Sequence, residues 1–170
     1  QLGHNRLVTP TSRPLKRTFP HLRSLDLTNN SLPGFLSWWL PHSHLPSLQE
    51  LILVGTSPSR QDILALAEAE ISQTLEHLDL NANPLLRHTW DLIFDKNDWP
   101  KLRRLKIEGC RVEDAGMEAL ASCVLPSLQT LYLTQNYITA AGLDAMLQAP
   151  WWPQLRELRL VNNLLTDSAI

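Results

Sequence analysis

Cysteine is scarce in this chain: only Cys110 and Cys123 occur among 170 residues. Two are too few for a disulfide framework at this length, and both read as buried, inert thiols. A large excess of one charge is missing as well. The formal net charge is -2, so no global field steers the molecule toward nucleic acid or an anionic membrane. No apolar run approaches a transmembrane span, and the first residues hold no signal-peptide core. Catalytic signatures are missing: no G-x-S-x-G, no phosphate loop ending in Gly-Lys-Ser/Thr, no H-E-x-x-H. His42-Ser43-His44 could touch a metal, but structural zinc takes four ligands and no others lie nearby in sequence; a solvated loop is expected. Glu68 and Glu70, two apart on an expected helix, do not face each other. The expectation is therefore no enzyme, no cofactor and no metal.

What is present is a soluble, core-forming composition, 44% hydrophobic and 19% charged. The charge is unevenly spread. Basic residues precede the first acid, Asp26; a middle stretch is acidic; Lys101 to Arg111 is basic again.

The dominant feature is an internal period. The pattern L-x-x-L-x-L-x-x-N-x-L starts at Leu22, Leu48, Leu75, Leu102, Leu128 and Leu155, a spacing of 26 or 27 residues throughout. The fourth conserved-looking place holds Asn30, Asn83, Asn136 and Asn163, with Thr56 and Cys110 as substitutes. Pro20, Pro46, Pro100, Pro126 and Pro153 keep the same register, each two residues before a first leucine and each preceded by a bulky apolar residue. Proline cannot continue a helix, so it is expected to end the outer helix and start the next strand. The third copy has Gln73 there.

The last two leucines of the motif are two apart, which on a strand puts both on one face. The leucines turn inward and the residues between them outward. Each copy contributes one strand, successive strands pair in parallel, and the chain returns along the other side. Helices are expected over 60–71, 114–123 and 139–148, with Thr139 as an N-cap and Leu143, Met146 and Leu147 facing inward. The first and third return segments read as broken or short. The Asn side chain, both donor and acceptor, should bond backbone groups between neighbouring coils, more loosely at Thr56 and Cys110. Leu2, Asn5 and Leu7 match the tail of a preceding copy, and Leu165 to Ile170 match the start of a helix. A single domain over 1–170, a partial copy in 1–21 and a longer parent array are therefore expected.

The stretch Cys110 to Leu120, with Ala115-Gly116-Met117, resembles the ribonuclease-inhibitor-like class of leucine-rich repeats. So does Asn136 to Met146, with Ala141-Gly142-Leu143. The resemblance implies an α/β right-handed horseshoe with a parallel sheet on its concave face. It also implies cytoplasmic location and capture of a protein partner, as the sensor or scaffold part of a larger protein, of the kind seen in innate immune sensors. Members that regulate enzymes, GTPase activators and ribonuclease inhibitors, supply the alternative.

Binding is expected on the outward strand positions: Asp26, Glu50, Ile52, His77, Asp79, Asn81, Arg104, Lys106, Tyr132, Thr134 and Arg159. Tyr132 is the best anchor, because an aromatic with a polar tip is enriched at interface hot spots. Arg104, Lys106 and Arg159 suit an acidic partner; Asp26, Glu50 and Asp79 suit a basic one. Ile52 and Val54 read as a small exposed apolar patch. The tryptophans, Trp38, Trp39, Trp90, Trp99, Trp151 and Trp152, read as filler of the outer layer.

Overall fold

A computed structural model describes residues 16–85, 88–94 and 98–166. Six short strands form one parallel sheet in sequence order: β2 (Ser24–Asp26), β4 (Glu50–Ile52), β5 (His77–Asp79), β6 (Arg104–Lys106), β7 (Thr130–Tyr132) and β8 (Glu157–Arg159). The second leucine of each motif pairs with its counterpart, Leu25 to Leu51, Leu78, Leu105, Leu131 and Leu158. The motif fixes this register. A one-residue slip would move every leucine to the solvent face, whereas here Leu51, Leu78, Leu105 and Leu131 are no more than 1% exposed.

The chain returns through α1 (Phe35–Trp39), α2 (Arg60–Glu68), α3 (His88–Phe94), α4 (Glu113–Ser122) and α5 (Ala140–Leu147). Each helix packs on the next. Paired strands sit ~4.8 Å apart, while packed helices need ~8–10 Å. The helical side of the stack is therefore the longer side, and the sheet lines the inside of the bend. Trp90, Trp99 and Trp151 are fully buried between the layers, and Trp38, Trp39 and Trp152 are half-buried. They fill the outer layer as expected. Phe35 stacks on Trp39 with 5.7 Å between ring centres.

Several expectations need correction. The helix expected over 60–71 stops at Glu68. Ala69 turns extended, and Glu70–Gln73 form a separate 3-10 turn, so Glu70 shares no helix with Glu68. On α5, Met146 is buried but Leu147 is 42% exposed: it falls one step round the helix from the inward stripe. His42-Ser43-His44 is not a solvated loop. Ser43–His44 form β3, which pairs with β1 (Arg17–Thr18) in a small second sheet, and His42 Nδ1 lies 3.1 Å from the Trp38 carbonyl. The prolines do not begin strands. They open tight turns in which the first leucine donates back to the bulky residue before the proline, as in Leu48 to Leu45 and Leu102 to Trp99. Proline suits that turn position because its φ is already set. Trp152–Gln154 tighten the same turn into 3-10 form. The partial copy around Leu2, Asn5 and Leu7 and the terminal residues 167–170 lie outside the described residues.

The asparagine ladder is present and has a direction. Asn136 Nδ2 donates to the Ile107 carbonyl at 2.6 Å, and its Oδ1 accepts from the backbone N–H groups of Cys110 and Val112. Asn163 repeats this on Leu133, Asn136 and Ile138. Asn83, Asn136 and Asn163 thus satisfy the backbone of the copy before them. At the substitutes the bonds are rerouted. Cys110 Sγ donates to the Leu80 carbonyl, and Thr56 Oγ1 reaches only its own copy, at Leu53. The N–H groups that an amide oxygen would take, those of Leu32 and Leu85, go to the Thr56 and Cys110 backbone carbonyls.

Candidate binding face

The open face of the sheet is built from two continuous register rows. The first runs Ser24, Glu50, His77, Arg104, Thr130, Glu157. The second runs Asp26, Ile52, Asp79, Lys106, Tyr132, Arg159. Asn81 and Thr134 lie two residues beyond their strands' second-row positions, on the same side by strand alternation. All eleven residues singled out from the sequence therefore share one face. One detail differs from expectation: Ile52 and Val54 are half-buried rather than an exposed patch. Thr130, in the first row, is only 9% exposed.

Neighbouring side chains on this face are already engaged with one another. Ser24 Oγ donates to Glu50 at 2.5 Å, and Glu50 lies 3.7 Å from His77 Nδ1. Asp79 pairs with Lys106 at 3.4 Å. Asn81 Nδ2 donates to Glu108 at 3.0 Å, and the Glu108 N–H donates back to Asn81 Oδ1 at 2.7 Å.

The tightest cluster surrounds Tyr132. The Arg159 guanidinium lies 3.9 Å from its ring centre, and Lys106 Nζ lies 5.7 Å from it. These distances are in the range of cation–π attraction. Register places the two cations on the two strands that flank Tyr132. The Tyr132 hydroxyl donates to Glu157 at 2.8 Å, and Arg159 bonds the same oxygen at 3.1 Å. The hydrogen bond to Glu157 pushes the Tyr132 phenol up, and the same bond, joined by Arg159, holds the Glu157 carboxyl below its ordinary value. Glu157 thus locks the tyrosine rotamer. Its place in the first row was readable from the sequence, but its role was not, since nothing in the spacing says which way the hydroxyl turns.

Burial pushes both thiols up to about 12, at Cys110 and at Cys123, far from the thiolate character a nucleophile needs. Among the described residues, no three His, Cys, Asp or Glu side chains gather as metal ligands, and no helix is long and apolar enough to cross a membrane.

Comparison with known families agrees with the geometry. Residues 100–121 and 124–147 match one leucine-rich-repeat model, and residues 21–43 match a second. The matched stretches are leucine-rich repeats. No curated protein matches the chain. Leucine-rich repeats generally mediate protein–protein interaction and are typically non-enzymatic, and their stacked copies present one extended surface. In this chain the sheet presents one such row-ordered face, with Tyr132 among its residues.

Proposed function

We propose that the protein is a recognition module that grips a protein partner on its concave sheet face, within a sensor or scaffold of the ribonuclease-inhibitor-like class. The observation that carries this reading is the Lys106–Tyr132–Arg159 stack. A large amphipathic ring is held in one rotamer by two cations and a carboxylate, on the inside of the bend. A pre-ordered aromatic of this kind loses little entropy on binding. Asp26, Glu50, Ile52, His77, Asp79, Asn81, Arg104 and Thr134 frame it. Two features support the class. Gly116 and Gly142 occupy its helix starts, where a Cβ would meet Trp90 at 3.2 Å and Ile138 at 2.9 Å respectively. Two free, buried thiols fit a reducing cytoplasmic setting.

The test places a photo-crosslinking residue at Thr134 on the open face or at Gln61, exposed on α2. A partner should crosslink from position 134 and not from 61. Tyr132→Ala should weaken capture about 30-fold, the effect of a hot-spot truncation near 2 kcal/mol. Crosslinks from 61 alone would place the interface on the helical side and defeat the reading.

A further inference from the structure

We infer that the partner presents a short acidic polypeptide segment, and that this segment docks across β6, β7 and β8. The inference rests on the open face being the binding surface and adds the chemistry of what sits there. On the open-face positions of these three strands, Arg104, Lys106 and Arg159 outnumber Glu108 and Glu157.

The carboxylates are also committed. Glu157 holds the Tyr132 hydroxyl and Arg159, and Glu108 holds Asn81. Arg104 is different: it is exposed, and among the described residues its side chain makes no ion pair or hydrogen bond. Arg104 is exposed and Tyr132 half-buried, so both remain open to a partner above the sheet. A carboxylate seated at Arg104 would take a forked hydrogen bond and sit beside Lys106. A second, two strand spacings or ~10 Å further along, would reach Arg159.

The other half of the face sets the boundary. Asp26, Glu50 and Asp79 occupy β2, β4 and β5 on the same rows. They repel an acidic chain, which therefore stops at the Asp79–Lys106 pair, where the sign changes. Two copies of this chain cannot satisfy the patch face to face, because both faces are concave.

The probe is an eight-residue Glu-Ser repeat peptide carrying a fluorophore, read by anisotropy against a Lys-Ser peptide of the same length. The acidic peptide should bind, and binding should weaken as salt rises. Arg104→Glu with Lys106→Glu should weaken it at least tenfold. The milder Arg104→Gln covers the case in which the double reversal perturbs folding, and should weaken binding severalfold. Asp79→Asn, which frees Lys106, should tighten it. Equal binding of the Lys-Ser peptide, or indifference to Arg104→Gln, overturns the inference. If the acidic peptide fails while position 134 still crosslinks a partner, the acidic chemistry falls and the binding face stands. If crosslinks come from position 61 alone, both fall.

Discussion

At the scale of single residues, the solenoid imposes one demand that the leucine pattern does not show. The residue just before the asparagine place is left-handed in every copy: Asn29, Gly55, Ala82, Gly109, Gln135 and Asn162, with φ between 55° and 66°. Here the chain leaves the strand and starts back. Asn and Gly tolerate that conformation, while other residues are strained in it by about 1 kcal/mol or more. Gly55 and Gly109 separate two causes of cost. A Cβ on Gly109 would find its nearest neighbour at 4.0 Å, so Gly109→Ala adds backbone strain alone. A Cβ on Gly55 would lie 2.7 Å from Asn29 Oδ1, so Gly55→Ala adds a clash as well. In urea melts, Gly109→Ala should cost about 1 kcal/mol and Gly55→Ala about 2 or more. Equal losses would mean that Asn29 moves aside freely.

At the scale of elements, the helices are fastened to each other by carboxylates, Asp62 buried and Asp114 half-buried. Asp62, fully buried at the start of α2, completes a capping box with Ser59. It also reaches back a whole copy, accepting from the N–H groups of Gly34 at 2.6 Å and Ser37 at 2.8 Å at the start of α1. Asp114 does the reverse, accepting from Thr139 and Gly142 at the start of α5. Burial pushes the Asp62 carboxyl up, but the bonds from Ser37, Ser59 and Gly34 outweigh it, and the net shift is downward from 3.8. A carboxyl that titrates lower in the folded state contributes fully above its unfolded pKa and loses that contribution as pH falls through the folded one. Asp62→Ala should therefore cost about 3 kcal/mol at neutral pH, more than Asp114→Ala, and the gap between wild type and variant should narrow below about pH 4. A gap independent of pH would point to lost packing instead. These fasteners mark the limit of what the sequence reveals. The strands, their register and the outward rows follow from a two-residue alternation, which is local. Asp62 bonding Gly34 joins residues 28 apart, and no periodicity marks it. Glu157 on Tyr132 is equally non-local, and the shift of Leu147 outward depends on where α5 starts its turn.

At the scale of the whole molecule, stability follows from stacking, since each copy buries its leucines only against its neighbours. The described sheet is accordingly uneven. The second leucines of β5, β6 and β7 are fully buried, whereas Leu158 in β8 is half-buried, and β8 has a strand partner on one side only among the described residues. The charge divide on the open face falls at the junction of β5 and β6, in the well-buried centre, so the face is firmest where its sign changes. Tyr132 sits one strand further on, in β7, and its fixing partners Glu157 and Arg159 both belong to β8. Opening of β8 would therefore free the tyrosine from both. Hydrogen exchange separates these zones. The amides of Leu80 and Ile107, bonded to the Lys106 and Tyr132 carbonyls at 2.8 and 3.0 Å, should exchange slowest. Leu133, bonded to the Arg159 carbonyl at 2.8 Å, should exchange faster despite an equally short bond, because its protection lasts only while β8 stays docked. An acidic peptide bound across β6 to β8 should slow Leu133 more than Leu80. Equal protection of all three amides would mean that the stack opens as one unit and that β8 is no separate gate on Tyr132.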